Sequence, residues 1–215
     1  MLIRLAALLL AVLVVPTACG QATMVERFVE GQHYQLVSPP VPSQAPAGKV
    51  EVVEAFSYAC PHCATFQAEV DAWKAKAPAG AHFVYLPAAW NSSWEAFARA
   101  YHAADALGIL TRSHNAMFKA LHTERVTIRD LDELAQWYTQ FGVTREQFLE
   151  AFNSPETTAK IGKARELVPA YGIDATPTVV VAGKYRITGE MAGSNAAVFD
   201  VVDHLVAKEL AAQKR

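Results

Sequence analysis

Cysteine is scarce in this sequence: only three of the 215 residues are cysteine, and the net charge is also small, at −2. So few cysteines exclude a small scaffold held together by several disulfides. The balanced charge argues against a nucleic-acid partner, because such partners require a basic surface. Glycine and proline number 11 each, too few for a fibrous or low-complexity chain. A hydrophobic fraction of 52% predicts an ordinary globular protein with a sizeable core.

The N-terminus combines one positive charge, Arg4, with an unbroken apolar run from Leu5 to Val15. The run is too short to cross a bilayer comfortably as a helix and is typical of a secretory signal. Two processing sites stay open: Gly20-Gln21-Ala22 suits a general signal peptidase, whereas Cys19 resembles the lipidated cysteine of a lipoprotein. We therefore expect a signal peptide over residues 1–22, or a lipoprotein signal that ends before Cys19.

Export leaves Cys60 and Cys63 as the cysteines of the folded domain, in a compartment where disulfides form and persist. A disulfide between residues three apart closes too small a loop to be an efficient staple, so the pair indicates a chemical role. A zinc site is the main alternative, but structural zinc usually takes four ligands and the sequence has no second cysteine pair. We expect no metal and no other cofactor.

Strand and helix patterns surround this pair. Apolar and β-branched runs predict strands at residues 34–37, 49–58, 82–86, 178–182 and 185–188. The proline-rich stretch from Ser38 to Gly48 predicts an extended connector. Helical spacing after Pro61 predicts a helix, so the cysteines lie at a strand-to-helix junction. A final amphipathic helix is expected over residues 194–210.

The region from Asn91 to Leu167 shows only helical patterns. Helix starts are predicted at Ser92, Asp130, Thr144 and Ser154, and helix ends at Gly108, Gly142 and Gly172. Four or five helices are therefore expected here. Because strands precede and follow this block, the two outer parts of the chain are expected to share one sheet in an α/β fold.

The segment Cys60-Pro61-His62-Cys63 suits thiol–disulfide exchange, which needs an attacking thiolate and a second thiol to resolve the mixed disulfide. With Cys60 at a helix N-cap, unpaired backbone N–H groups are expected to stabilise its thiolate and lower its pKa. His62 can add a hydrogen bond or a positive charge. A stabilised thiolate favours the reduced form, so the disulfide form is expected to be a strong oxidant.

These residues, preceded by Glu54-Ala55-Phe56-Ser57-Tyr58-Ala59, resemble the active-site segment of the DsbA family of periplasmic disulfide oxidases. The resemblance implies a thioredoxin-like α/β fold with an inserted all-helical domain. The thioredoxin-like domain is expected in two parts, residues 23–89 and 163–215, with the helical domain at 90–162. A periplasmic monomer is implied, with lipid anchoring through Cys19 as the open alternative.

The resemblance also suggests roles for Pro177, Thr176 and Glu54. The segment from Gly172 to Thr178 resembles the cis-proline loop that faces the cysteines in thioredoxin-like proteins, so Pro177 is expected to follow a cis bond and Thr176 to present its backbone to a peptide. A trans proline that opens a strand is the alternative. Glu54 is expected to be a buried acid that moves protons, or else a solvent-exposed strand residue.

The sequence departs from the best-known members at three places. One is Thr176, which stands before Pro177 in place of an aliphatic residue, as in related disulfide isomerases, and whose hydroxyl can alter the redox potential by a hydrogen bond to sulfur. Gln67 stands where an acidic residue often follows on the helix, and the strand at 82–86 carries no lysine. The charge network that supports the cysteines is therefore expected to differ.

The resemblance implies an enzyme that donates a disulfide from Cys60 and Cys63 to reduced, folding exported proteins, and that a membrane partner of the DsbB type reoxidises. Two alternatives stay open: a disulfide isomerase or reductase of the same fold, and a redox-inactive peptide-binding chaperone. Isomerases of this kind usually carry a dimerisation domain, for which the segment before Cys60 leaves no room, so the oxidase is favoured.

Overall fold

The computed structural model describes residues 27–214. The predicted signal segment and Cys19 lie outside these residues. The strands are β1 Gln35–Leu36, β2 Val50–Phe56, β3 Ala81–Pro87, β4 Thr178–Val181 and β5 Tyr185–Ile187. The α-helices are α1 Pro61–Lys74, α2 Ser92–Ala106, α3 Leu110–His122, α4 Leu131–Tyr138, α5 Arg145–Phe152, α6 Pro155–Ala170, α7 Gly189–Ala192 and α8 Asn195–Ala212. No helix within the described range is long and apolar enough to cross a membrane.

The strands form one mixed sheet in the order β1-β5-β4-β2-β3. Strand β2 is parallel to β3 on one side and antiparallel to β4 on the other. All of its residues are buried, as expected for a strand covered on both faces. Because β2 and β4 come from opposite ends of the chain, their pairing confirms that the two outer parts share one sheet.

Apolar side chains form a core on each face of the sheet. On one face, the Phe199 ring of α8 stacks on Phe66 and Trp73 of α1, with centroid distances of 5.4 and 5.0 Å. On the other face, α6 packs Val168 into a cluster with Val53 of β2. Full burial of a large apolar side chain contributes roughly 1.5–3 kcal/mol. These layers hold β2, and therefore the cysteine that follows it, in a fixed position.

The helices α2 to α5 enclose a third core. Tyr138 and Phe148 stack at its centre, with ring centroids 4.4 Å apart. The same cluster includes Phe56 at the end of β2, together with Cys60 and Cys63. The cysteine pair therefore lies at the seam between the sheet and the helical block.

Five helices, α2 to α6, fill the region predicted to be helical. Side-chain oxygens cap three of them at the predicted residues: Asp130, Thr144 and Ser154. The predicted cap at Ser92 is wrong by one residue, because Asn91 accepts the hydrogen bond from the Trp94 N–H at 2.9 Å. Asparagine caps a helix as well as serine does, so residue type could not separate the two. The glycines predicted to end helices all have a left-handed backbone conformation; they are Gly108, Gly142 and Gly172.

Two short elements differ from the sequence patterns. Helix α7, Gly189–Ala192, forms where no element was predicted, because four residues are too few to show helical periodicity. The strand predicted over residues 34–37 is shorter in the structure: β1 contains only Gln35 and Leu36, the two residues that pair with β5.

The proline-rich connector lies against the turn of the β4–β5 hairpin. The Val37 and Val41 N–H groups donate to the carbonyls of Lys184 and Gly183, at 2.8 and 2.9 Å. The turn itself consists of Ala182 and Gly183, whose φ angles are 54° and 65°. Two positive φ angles are typical of the tight hairpin turns that match the twist of the strands.

Replacing Gly183 by alanine is expected to lower the free energy of unfolding by about 2 kcal/mol or more. A β-carbon there would collide with the Val41 carbonyl oxygen, in addition to the strain of a positive φ. Gly48→Ala is the matched control, because Gly48 also has a positive φ but has no atom within 4 Å of its β-carbon position. Urea denaturation should show a loss of only about 1 kcal/mol for the control. Equal losses for the two variants would contradict the collision.

Candidate active site

Cys60 and Cys63 lie at the start of α1, directly after the sheet. Cys60 is the N-cap residue, with φ −91° and ψ 115°, and Pro61 takes the first helical position, where a missing N–H is tolerated. The Cys60 N–H donates to the Ser57 carbonyl at 3.1 Å and holds the turn from β2 into the helix. Both cysteines are free thiols, with Cys60 6% exposed and Cys63 0% exposed. The strand-to-helix junction is confirmed, and Cys60 is the more accessible sulfur of the pair.

The Cys60 sulfur lies in surroundings that favour its anion. Its pKa is lowered from 9.0 to about 5, chiefly by a hydrogen bond that the Cys63 thiol donates to it. Burial opposes the shift, while the Thr176 side chain and the backbone N–H groups of Cys63 and His62 add to it. The backbone part is the helix-start effect expected from the sequence. At neutral pH Cys60 is therefore a thiolate, the reactive form of cysteine.

Cys63 has the opposite character. Burial, and then the hydrogen bond that its thiol donates to Cys60, raise the pKa of Cys63 far above its usual range. The reduced pair thus holds a single proton near neutral pH, and that proton resides on Cys63. Near neutral pH, Cys60 is therefore the reactive thiolate of the pair, whereas Cys63 remains a protonated thiol.

The loop before β4 faces the pair. The Thr176–Pro177 peptide bond is cis, as predicted, and the Cys60 thiol donates to the Thr176 carbonyl oxygen at 3.4 Å. The buried Thr176 hydroxyl has no hydrogen-bond partner among residues 27–214. Ionised Cys60 has no proton to donate to the carbonyl, but it can accept a hydrogen bond from this hydroxyl, which agrees with the contribution of Thr176 to the low pKa.

His62 is exposed at the surface beside the pair. Its backbone N–H stabilises the Cys60 thiolate and contributes to the lowered pKa. The additional role predicted for its imidazole side chain stays a prediction.

Glu54 lies in the middle of β2, opposite Tyr85 of β3. It is 1% exposed, and neither carboxyl oxygen has a hydrogen-bond partner in the described part of the chain. Burial raises the pKa of Glu54 to about 8; the positive charge of Lys74 lowers it, and the charges of Asp71 and Cys60 raise it. The predicted burial is confirmed, and the carboxyl is largely protonated at neutral pH.

Two of the departures noted in the sequence, Gln67 and the strand without lysine, lie close to Tyr85, the residue paired with Glu54. Gln67 Nε2 donates to the Tyr85 hydroxyl at 2.9 Å, and Gln67 Oε1 lies 3.2 Å from His114 Nε2. The Lys74 Nζ lies 4.8 Å from the centroid of the Tyr85 ring. The cation that β3 lacks is therefore supplied by the end of α1.

Two histidines of α3 hold Tyr58 through contacts that the sequence patterns did not predict. The Tyr58 hydroxyl lies 2.8 Å from His114 Nδ1, and the Tyr58 carbonyl accepts a hydrogen bond from His122 Nε2 at 2.7 Å. Tyr58 precedes Cys60 by two residues, so the helical block directly supports the loop that carries this sulfur. The only sequence signal is the separation of the two histidines by about two helical turns, which places them on one face of α3.

Comparisons with known proteins agree with this geometry. A family model of the DSBA-like thioredoxin domain matches residues 85–205. The thiol:disulfide interchange protein DsbA of Pseudomonas aeruginosa is 36% identical over 208 residues, which cover 97% of this chain and 98% of that protein. The protein of the same name from Bordetella pertussis is 35% identical over 176 residues, 81% of this chain and 83% of that protein.

Solved structures extend the likeness to the backbone. The crystal structure of Pseudomonas aeruginosa DsbA has a TM-score of 0.83 at 37% identity and covers 89% of this chain and 99% of its own. The oxidoreductase DsbA from Xylella fastidiosa has a TM-score of 0.79 at 41% identity and covers 85% and 98%. The thioredoxin-like fold with a helical insertion is thereby confirmed. Since the likeness in sequence and backbone extends over nearly the whole chain, this protein belongs to the DsbA family of thiol:disulfide oxidoreductases.

Proposed function

We propose that the protein oxidises pairs of cysteines in exported, folding polypeptides, and that Cys60 is the sulfur that the substrate attacks. The supporting observation is the contrast between the two sulfurs: Cys60 is the more exposed one and has a pKa of about 5, whereas Cys63 is fully buried. A sulfur of low pKa is a good leaving group from the mixed disulfide, and its stable thiolate favours the reduced pair. The disulfide form should therefore give up its bond readily.

The first step starts from the Cys60–Cys63 disulfide. A substrate thiolate attacks Cys60 Sγ, a mixed disulfide forms, and the electron pair of the broken bond passes to Cys63. Cys63 then takes up a proton, because burial disfavours its thiolate. Glu54, largely protonated at neutral pH and electrostatically coupled to Cys60, is the proposed donor of that proton.

The second step releases the product. A second substrate thiolate attacks the substrate sulfur of the mixed disulfide, the new substrate disulfide forms, and Cys60 leaves as a thiolate. Two electrons have then passed from substrate to enzyme. During both steps the backbone of Thr176, before the cis bond to Pro177, is proposed to hold the substrate in an extended conformation, like an added strand. Pro61 shapes the helix start, and His62 assists from the surface.

We place this activity in the periplasm, with a membrane partner of the DsbB type that restores the disulfide at the same face. The proposed boundaries are residues 23–89 and 163–215 for the thioredoxin-like domain and 90–162 for the helical domain. The protein is proposed to act as a monomer. The mass of the mature chain would distinguish cleavage after residue 22 from lipidation at Cys19.

The reduction potential is expected to fall by about 30 mV per pH unit above pH 5, and by about 59 mV per unit below it. The change in slope follows from the Cys60 pKa of about 5: above it, reduction binds one proton for two electrons, and below it, two. The same pKa affects folding. The free energy of unfolding of the reduced form rises relative to that of the oxidised form as pH rises above about 5, because the folded state then holds the thiolate, and this gain is lost as pH falls through about 5. Equilibration with glutathione buffers across this range measures the slope.

Thioredoxin, at about −270 mV, is the reference for the same experiment, and this couple should be the more oxidising one at pH 7. The ultraviolet absorbance of the thiolate, with Cys60→Ser as the blank, reports the Cys60 pKa independently. A slope that stays near 59 mV up to about pH 8 would contradict the stabilised thiolate. A potential as reducing as that of thioredoxin would contradict the oxidase and favour the reductase.

A further inference from the structure

A polar cavity of about 490 Å³ opens beside the start of the redox helix. One wall consists of Pro61, Ala64 and Thr65 at the start of α1. The other consists of His122, the last residue of α3, and of Thr123 and Arg125 in the turn that follows. The cavity lies on the helical-block side of Cys60, whereas Thr176 contacts the sulfur from the loop before β4. None of the steps proposed above uses it.

The unpaired charge at this cavity is positive. Arg125 is exposed, and within residues 27–214 it has neither a hydrogen bond nor an ion pair. The neighbouring charges cancel each other, because Lys119 Nζ lies 2.7 Å from Glu124 Oε1. The start of α1 adds the positive end of a helix dipole and the end of α3 adds the negative end of another, so the charge of Arg125 decides the sign of the cavity. An anionic group is therefore the ligand that the cavity favours.

The backbone at Arg125 points to a use for its side chain. Its φ is 56°, in the left-handed region where glycine is the least strained residue. The chain is held in this turn by a hydrogen bond from the Val126 N–H to the Ala120 carbonyl, at 2.8 Å. An arginine thus occupies a position where the fold alone would favour glycine. Residues other than glycine that are held at positive φ are found preferentially at functional sites.

His122 connects the cavity to the active-site loop. A carbonyl oxygen only accepts hydrogen bonds, so the nitrogen that contacts the Tyr58 carbonyl, Nε2, is the donor. A group bound in the cavity would contact a residue that already supports the loop before Cys60.

We propose that this cavity receives an acidic side chain, aspartate or glutamate, of the substrate polypeptide, close to the cysteine that reacts with Cys60, and that Arg125 pairs with it. This inference rests on the proposed function. The carboxylate forms an ion pair and no covalent bond. Because Arg125 is exposed, the pair is expected to act mainly on the rate of encounter and to weaken with salt.

The test uses two sets of three dicysteine peptides. Within a set the peptides differ only at one position, occupied by Glu, Gln or Lys, which directly precedes the reacting cysteine in one set and directly follows it in the other. The oxidised protein is mixed with each reduced peptide at low ionic strength, and the second-order rate constant for peptide oxidation is measured. A neighbouring charge also changes the reactivity of the peptide thiol itself. The quantity compared is therefore the ratio of the rate constants for the Glu and Lys peptides, measured for the native protein and for each variant.

Arg125→Gln should lower the Glu-to-Lys ratio about threefold to fivefold in at least one set, and added salt should remove the difference. Arg125→Lys should retain most of the ratio. Arg125→Gly should lose it while being at least as stable to urea as the native protein, since glycine relieves the left-handed strain. Arg129→Gln is the control, because Arg129 pairs with Glu133 and lies outside the cavity.

A ratio unchanged in Arg125→Gln in both sets would overturn the inference, as would an equal change in Arg129→Gln. Retention of the ratio in Arg125→Gly would likewise show that the side chain is not the recognition element. If the native protein oxidises the peptides and no variant of Arg125 changes the Glu-to-Lys ratio, the inference fails and the proposed function stands. If it oxidises none, the proposed function fails, and this inference with it.

Discussion

Replacing Cys60 by serine is expected to lower the rate of disulfide transfer to a reduced polypeptide by at least about a thousandfold. The variant lacks the sulfur that forms the mixed disulfide, and the remaining thiol, Cys63, is fully buried and has a pKa raised far above its usual range. The rate of oxidation of a dicysteine peptide measures the effect. Thermal unfolding of the variant near the native temperature would show that the loss does not arise from misfolding.

Cys63→Ala is the matched variant, with a different expected result. Its Cys60 should still react with a small disulfide, because backbone N–H groups and Thr176 continue to stabilise the thiolate. The pKa of Cys60 should rise, because the hydrogen bond donated by Cys63 is its largest stabilising cause. The resulting mixed disulfide should accumulate, since no second thiol is present to resolve it. Accumulation in Cys60→Ser instead would show that the roles of the two sulfurs are reversed.

Replacing Glu54 by leucine is expected to raise the free energy of unfolding by about 3 kcal/mol at pH 7. Burial raises the pKa of Glu54 from 4.5 to about 8, so between these values the folded state binds a proton that the unfolded state has released. The native protein therefore loses stability as pH rises through this range, and leucine removes that loss. Urea denaturation at about pH 5 and about pH 7 should show a larger gain at the higher pH.

Glu54→Gln separates ionisation from burial. Glutamine cannot ionise, so it should remove the same pH dependence, but it remains a buried polar group and should stabilise less than leucine does. If leucine gives the same gain at both pH values, the raised pKa is wrong. Both variants should also slow disulfide transfer if Glu54 supplies the proton to Cys63. A buried acid without hydrogen-bond partners lowers stability, and its retention is typical of functional sites.

Local patterns in the sequence predicted local structure well. The caps at Asp130, Thr144 and Ser154 depend on bonds within one helical turn, so neighbouring residues suffice to predict them. The miss at Ser92 has the same origin, because Asn91 competes for the same hydrogen bond over the same short distance.

In the candidate site, too, features set by neighbouring residues were predicted, and contacts between residues far apart in sequence were not predicted from the residues alone. The cysteine pair at a helix start and the expectation of a low pKa for Cys60 follow from four consecutive residues and the backbone groups that they leave unpaired. The contact between Cys60 and Thr176 joins residues 116 positions apart and was anticipated only through a family resemblance. The contacts of Tyr58 with His114 and His122 had no such guide and were missed.

The order of amino acids alone established which residues carry the chemistry, because nucleophile, second thiol and helix start are neighbours in the chain. Folding decided how those residues are tuned: it buried Glu54, brought Lys74 to Tyr85 from the helix, and set Arg125 at the edge of a cavity beside the redox helix. The physical reason is that desolvation and electrostatic coupling depend on distances through space, which residues far apart in sequence acquire only when the sheet and the helical block pack together.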